Sequence, residues 1–186
     1  GTSNKVVKKR AHHIQMEWEG TQFPIEFMSI SEEPGMPLRS TVSEFGPVIL
    51  SKILTLNDTQ ASLLSMLFMF CDDKKMPLLD LDDLKTVLRY AAAEGKQEIQ
   101  KMYGLVPVNS AHAIMRKITQ LEQQGGKRIF GEPSFDVGDL CQRNEKGYGM
   151  VNILRLTDVQ SKPALFSAFM LALLAEVFEV FPEKGD

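Results

Sequence analysis

Residues 164–181, ALFSAFMLALLAEVFEVF, form the segment that most restricts how this chain can fold. The segment is apolar on nearly every side of a helix, and Glu176 and Glu179 are the charges that interrupt it. Its uncharged part is shorter than the roughly 20 residues that a membrane-spanning helix needs. Helices that are apolar all round are usually buried in a protein core. The segment therefore predicts a buried helix, with Pro163 in its first turn, in a protein that has no membrane partner.

The overall composition is that of a folded domain in a reducing compartment. The 186 residues include 21 Lys and Arg and 24 Asp and Glu, which gives a net charge of −3. This length predicts one domain, at roughly 150 residues per domain. Two cysteines are too few for a disulfide scaffold, which predicts a cytoplasmic location. The near-neutral charge provides no overall attraction for nucleic acid, so a DNA contact would have to come from a local basic patch.

Two short segments have the pattern of β-strands. Residues 22–30 alternate apolar and polar side chains, which predicts a strand with Phe23, Ile25 and Phe27 on a buried face. Because Pro24 has no backbone N–H, either this strand lies at the edge of a sheet or Pro24 stands at the start of the strand. A second strand is predicted within residues 147–156, where a Gly-rich entry precedes Val151.

Helical periodicity dominates the region between these strands, where apolar residues recur with a period near 3.6. Asp80 is a good N-cap with Asp83 favoured by the helix dipole, and its helix is expected to reach Tyr103. Gly125 lies where a helix C-terminus favours glycine. The helices are predicted to begin near Thr41, Asn57, Asp80 and Ser110. The fold class is therefore mainly α, with a few strands (α+β).

The spacing of reactive residues gives no catalytic motif. Around the Gly-Lys pair of QQGGKRIF at 123–130, a phosphate-binding loop would need Gly at Leu121 and Ser or Thr at Arg128. The histidines and cysteines lack the short-spaced pairs of a zinc site. The acidic runs at 72–73 and 80–83 are interpreted as helix caps and solvated surface. We therefore expect no catalytic, cofactor-binding or metal-binding residue in this chain.

Four basic residues are the remaining candidates for a binding site. Arg116 and Lys117 lie on the predicted fourth helix, and Lys127 and Arg128 follow it. Together they could line a surface for DNA or for a neighbouring subunit. A solvated helix face is the alternative interpretation.

Five strings in the chain, taken in order, resemble the HerA-like helicase family in its C-terminal-domain branch, within the FtsK–HerA superfamily of P-loop ATPases. The resemblance extends from about residue 38 onward. The strings are TVSEFGP at 41–47, LNDTQ at 56–60, LLDLDDL at 78–84, LEQQGGKRIFGEP at 121–133 and LFSAFMLALLAEVFEVFPEKGD at 165–186.

This resemblance implies an internal segment of a larger ATP-hydrolysing DNA translocase or helicase. In the family, a Walker A segment precedes this region and a Walker B strand follows it, so the isolated chain is expected to be inactive. ATP and Mg²⁺ are expected for the full-length protein, which would be a ring-shaped oligomer acting on DNA. The chain would then contribute an incomplete RecA-like P-loop α/β domain.

The resemblance also implies three parts: an arm and edge strand (1–37), a helical insert (38–146), and a strand with a crossover helix from the ATPase core (147–186). Freed from its parent, the last helix is expected to pack against the helical segments or to self-associate. An alternative is a free-standing helical module for protein interaction or oligomerisation. A small enzyme using Cys71 or Cys141 is a third, weaker hypothesis.

Overall fold

The structure is a computed structural model that describes residues 4–18, 22–156 and 162–181. Within these ranges the chain forms seven α-helices, two short 3-10 helices and three β-strands, which confirms the predicted class. The strands are β1 (Ile25–Ser29), β2 (Met36–Pro37) and β3 (Val151–Arg155). The helices are α1 (Lys5–His13), α2 (Val42–Ile53), α3 (Asp58–Asp73), α4 (Leu81–Ala92), α5 (Lys96–Tyr103), α6 (Val108–Gln123) and α7 (Pro163–Val180), with 3-10 turns at Gly126–Arg128 and Val137–Cys141.

The three strands form a parallel sheet in the order β2-β1-β3. The prediction of an edge strand is wrong, because β1 lies in the middle of this sheet. Pro24 stands immediately before the strand, where its carbonyl accepts the amide of Val151 at 2.8 Å. Its missing N–H therefore removes no hydrogen bond from the β1 ladder. Of the two possibilities given for Pro24, the position at the start of the strand is the correct one.

The face of β1 predicted to be buried is the exposed one. Ile25 is 55% exposed and Phe27 43% exposed, whereas Met28 on the opposite face is buried. Strands of parallel sheets are commonly apolar on both faces, so alternation in the sequence does not reveal which face the protein covers. Among the described residues, the helices cover only the face that contains Met28.

Side-chain caps explain where three of the helices begin. In each helix the side chain of the capping residue accepts a hydrogen bond from a backbone amide in the first turn, and the side chain of the third helical residue accepts one from the amide of the capping residue. The capping residues are Thr41, Asn57 and Asp80. Inside α2, Gly46 takes a positive φ of 67° and interrupts the helix. Pro47 then occupies the first turn of the segment that resumes, which is the position that proline tolerates.

The helix predicted to run from Asp80 to Tyr103 is instead two helices, α4 and α5. The break spans residues 93–95, and Ala93 leaves the helical conformation with φ of −124° and ψ of −100°. At Gly95 an added Cβ would lie 2.0 Å from a ring carbon of Tyr90. The Tyr90 hydroxyl in turn donates to Glu98 at 2.7 Å. The Tyr90 ring therefore packs directly on the glycine backbone where α5 begins.

The start of α6 also differs from the prediction, because Ser110 lies in the first turn and does not cap it. The carbonyl of Pro107 accepts the amides of Ser110 and Ala111, and the helix begins at Val108. At the other end, Gly125 adopts a left-handed conformation with φ of 99°, as predicted for a residue after a helix C-terminus.

One continuous core of buried apolar side chains joins the sheet to the helices. It includes Met28 from β1, Leu64 from α3, Ile114 from α6 and Phe169 from α7. The predicted division into residues 1–37, 38–146 and 147–186 stays a prediction, although side chains from all three ranges meet in this core.

The predicted burial of α7 is correct for one face only. Leu165, Ala168, Phe169 and Ala172 are buried, and α7 packs against α2. The opposite face exposes apolar side chains, with Phe178 78% exposed. By length and composition alone α7 could cross a membrane, a test that core helices of water-soluble proteins also pass. The expectation of no membrane partner stays a prediction.

Candidate functional site

The carboxyl ends of β1 and β3 meet at one edge of the sheet. Ser29 pairs with Arg155 in the register, and the chain then leaves β1 through Ile30 and Ser31. In open parallel sheets, ligands bind outside the carboxyl ends of strands, where connections leave toward opposite sides. In this sheet β1 connects to β2 on one side and pairs with β3 on the other. This edge is therefore a candidate location for a ligand-binding site.

Two basic side chains lie at this edge, but they leave little space between them. The Arg128 guanidinium donates to the Ser31 carbonyl at 3.2 Å and to the Glu32 carboxylate at 3.0 Å. Lys162, which precedes α7, lines the same crevice beside Gly125. The crevice holds about 30 Å³, which is room for one water molecule and not for a phosphate group.

A larger pocket lies next to the crevice, between the ends of α2 and α6 and the start of α7. Its volume is about 300 Å³, and Lys117, Gln120 and Gln124 supply its polar lining. The Lys117 ammonium donates to the Thr55 carbonyl, which fixes this side chain against the end of α2. The Gln124 Oε1 atom is buried and accepts no hydrogen bond from the described residues.

Lys127 belongs to a network of four charged side chains that ties α4 to α6. Its ammonium lies 2.8 Å from Asp82 and 3.5 Å from Glu122. Lys85 contacts the same two carboxylates, at 2.6 Å and 2.8 Å. Hydrogen bonds from Lys127 and Lys85 lower the pKa of Asp82 from 3.8 to about 2. The network balances two positive and two negative charges, so Lys127 presents little net charge to a ligand.

Replacing Asp82 with asparagine should remove a pH-dependent contribution to stability of about 0.2–1 kcal/mol, the range for exposed ion pairs. Because the folded-state pKa lies below the unfolded value, the contribution is present above about pH 4 and is lost as the pH falls through about 2. Urea unfolding of the wild type and Asp82→Asn should therefore differ at pH 6 and converge near pH 2. Asp72→Asn, at an exposed carboxylate outside the network, is the matched control, and an equal effect there would contradict the prediction.

The four predicted basic residues thus have different surroundings. Lys117, Lys127 and Arg128 donate to groups of this chain, whereas Arg116 is exposed and has no hydrogen-bond or ion-pair partner among the described residues. Their role in binding stays a prediction. Two of the acidic partners, Glu32 and Asp82, lie far away in the sequence, so spacing gave no signal of these two contacts.

One further feature was not predicted from the sequence: one face of the sheet is uncovered by the residues that the structure describes. Ile25 and Phe27 from β1 lie beside Val151 and Ile153 from β3, and all four side chains are exposed. The Arg155 guanidinium lies 4.4 Å above the Phe27 ring at the end of this face. No group of three or more potential metal ligands occurs within residues 4–18, 22–156 and 162–181.

Comparison with known families gives one match, to the family described as helicase HerA-like C-terminal, over residues 1–186. Comparisons with curated proteins and with solved structures give no match.

Proposed function

The chain belongs to the helicase HerA-like C-terminal family, and from this premise we propose that it is a segment of a P-loop ATPase core whose protein moves or remodels DNA. The chain supplies part of the sheet and a helical region, while other residues of the full protein bind ATP and Mg²⁺. The observation that carries the proposal is the parallel sheet with one apolar face uncovered.

Parallel sheets occur almost only in α/β domains that cover both of their faces. Here the outer faces of β1 and β3 present Ile25, Phe27, Val151 and Ile153 without a covering layer among the described residues. A RecA-like α/β domain has such a layer. An exposed apolar face of a parallel pair therefore supports an ATPase core more strongly than an independent all-helical module.

The relation of α7 to the sheet supports the same proposal. The helix follows β3 in the sequence and packs one face on the protein core. Its other face exposes Leu174 and Phe178. Helices that connect parallel strands lie on the sheet and have further elements beside them, so a crossover helix would normally have both of these faces covered.

The sequence motifs of this chain fit a segment that does not itself hydrolyse ATP. Phosphoryl transfer requires a phosphate-binding loop, Mg²⁺ and a positioned nucleophile. The printed sequence contains no GxxxxGK[ST] motif. The nucleotide and metal sites are therefore expected on other parts of the full protein.

Release of inorganic phosphate from ATP tests the proposal. The full-length protein should hydrolyse ATP in the presence of Mg²⁺, with stimulation by DNA, whereas the 186-residue chain should release no phosphate above the rate of a blank. Hydrolysis by the isolated chain, or a full-length protein that neither binds nor hydrolyses ATP, would overturn the proposal.

A second candidate function is a helical module for oligomerisation, which the exposed apolar face of α7 favours. The encoding gene distinguishes the two candidates. The ATPase proposal requires a phosphate-binding loop before this region and an acidic Walker B strand after it. A gene without those motifs leaves the module as the better description. Self-association through α7 is expected under both proposals for the isolated chain.

A further inference from the structure

We propose that α4, α5 and α6 form a helix-turn-helix unit, and that the exposed face of α6 binds the major groove of duplex DNA. The choice of DNA as the partner rests on the proposed function, whereas the shape of the unit and the composition of its surface are independent of it. The proposal concerns DNA recognition and assigns no role in ATP hydrolysis.

The lengths and connections of these helices match the helix-turn-helix arrangement, in which a short turn that often contains glycine joins two helices. The eight-residue α5 ends at Tyr103, residues 104–107 form the turn, and the sixteen-residue α6 follows. Gly104 opens the turn with φ of 106°, a conformation that side chains rarely adopt. The preceding helix α4 packs against both α5 and α6.

A shared core holds the unit together. Leu84 and Leu88 of α4, Ile99 of α5, Val106 of the turn and Ile114 of α6 are all buried. Every part of the unit thus contributes to one apolar cluster. This packing fixes which side of α6 faces inward and which side is presented to a partner.

The outward side of α6 is a polar stripe without acidic residues. Its residues recur at helical spacing and all are exposed: Asn109, His112, Arg116, Gln120 and Gln123. The one acidic residue of α6, Glu122, is turned inward to Lys85 and its side chain is only 12% exposed. In a chain with more acidic than basic residues, a solvated helix face would be expected to include carboxylates. The exposed face of α4, for comparison, includes both Asp82 and Arg89.

The side chains of this stripe are those that read base edges. Asn and Gln form paired hydrogen bonds with adenine, and Arg forms them with guanine, in the major groove. Recognition helices contact bases mainly through residues in their amino-terminal half. Asn109 and His112 occupy this half of α6, and Arg116 follows as the ninth of its sixteen residues. Asn109 and Arg116 lie about 10.5 Å apart along the axis at 1.5 Å per residue. That distance corresponds to about three base pairs.

Arg116 is the central residue of the stripe, and of the four basic residues Arg116, Lys117, Lys127 and Arg128 it is the one without a partner in the described part of the chain. Lys117, the next residue, is directed to the Thr55 carbonyl and so lies off the stripe. Arg116 has no partner among the described residues, so its guanidinium can bind a guanine without breaking an existing ion pair.

Selection of bound sequences from a random 24-base-pair duplex library, followed by fluorescence anisotropy with the selected duplex, tests the proposal. The assay uses the 186-residue chain without nucleotide, at 50 and 150 mM KCl. Arg116→Ala should weaken binding about tenfold or more. Arg116→Lys should retain binding to random duplex, because it keeps the charge, but should lose the preference for the selected sequence. Arg143→Ala removes an exposed arginine outside the unit and should leave binding unchanged.

Three results would overturn the proposal: no duplex binding by the wild type at 50 mM KCl, equal binding by the wild type and Arg116→Ala, or tighter binding to single-stranded DNA or RNA. A thermal melt of each variant guards against unfolding, and Arg116→Ala is expected to melt with the wild type because its side chain is exposed. The assay contains no ATP, so its outcome is separate from that of the phosphate-release test.

Discussion

Replacing Ile114 with alanine is expected to destabilise the chain by about 2–5 kcal/mol, the range for removing most of a buried aliphatic side chain. Ile114 is fully buried in the core shared by α4, α5 and α6. The substitution leaves a cavity in this core. Since a domain is stable by only about 5–15 kcal/mol, this loss should shift the urea midpoint strongly.

His112→Ala is the matched control for this prediction, because it truncates an exposed side chain two positions away on the same helix. Surface substitutions of this kind usually change stability by less than about 0.5 kcal/mol. A similar midpoint shift for both variants would mean that α6 is not anchored through Ile114. A negligible shift for Ile114→Ala would contradict the helix-turn-helix packing directly.

Introducing glutamate at both Leu174 and Phe178 is expected to abolish self-association of the isolated chain. The two side chains lie one helical turn apart on the uncovered face of α7 and are 57% and 78% exposed. Burying each large apolar side chain in an interface contributes about 1.5–3 kcal/mol. Their combined loss corresponds to at least a hundredfold weaker association. Sedimentation velocity at micromolar concentrations should show an oligomer for the wild type and a monomer for the variant.

Gln97→Glu adds a carboxylate to an exposed polar position on α5 and should leave the oligomer intact. Chemical unfolding should show the double variant to be as stable as the wild type, because neither replaced side chain is in the core. A monomeric wild type would remove self-association as a property of this chain. An oligomer that survives both glutamates would place its interface elsewhere.

The parts of the fold that the sequence predicted correctly are those determined by neighbouring residues. Asn57 and Asp80 cap helices because their side chains reach amides only two or three residues away. Gly125 ends a helix because its own backbone can take a positive φ. Such signals depend on local geometry, so they can be read without knowing what packs nearby.

The predictions that failed depended on contacts between distant residues or on which surfaces the protein covers. The Tyr90 ring lies over the backbone of Gly95 at the break between α4 and α5, and helical periodicity gives no sign of this contact. The central position of β1 depends on its pairing with β3. The inverted burial of Ile25 and Met28 arises because both faces of a parallel strand can be apolar.

The candidate site also has features that could be predicted from the sequence and features that could not. Sequence analysis identified Arg116 and Arg128 as basic residues on or after one helix, but could not show that Arg128 contacts Glu32 while Arg116 stays exposed. Family membership could be inferred from five strings taken in order, because such a resemblance is recognised without reference to a fold. The outward stripe of α6 could not be identified from the sequence, because its identification requires knowing which side of that helix faces the core.

The pairing of β1 with β3 also has a consequence for how the chain acquires its structure. Residue 25 must find residue 151, whereas the contacts among helices α2 to α6 join residues that lie closer together in the sequence. Closing so long a loop is slow compared with joining adjacent helices. During synthesis the helical region can therefore assemble while β1 still lacks its neighbour. We expect pulse-labelling hydrogen exchange to show that the amides of α4 and α6 become protected earlier than those of the sheet. The pairing of β1 with β3 would then be the last step of folding.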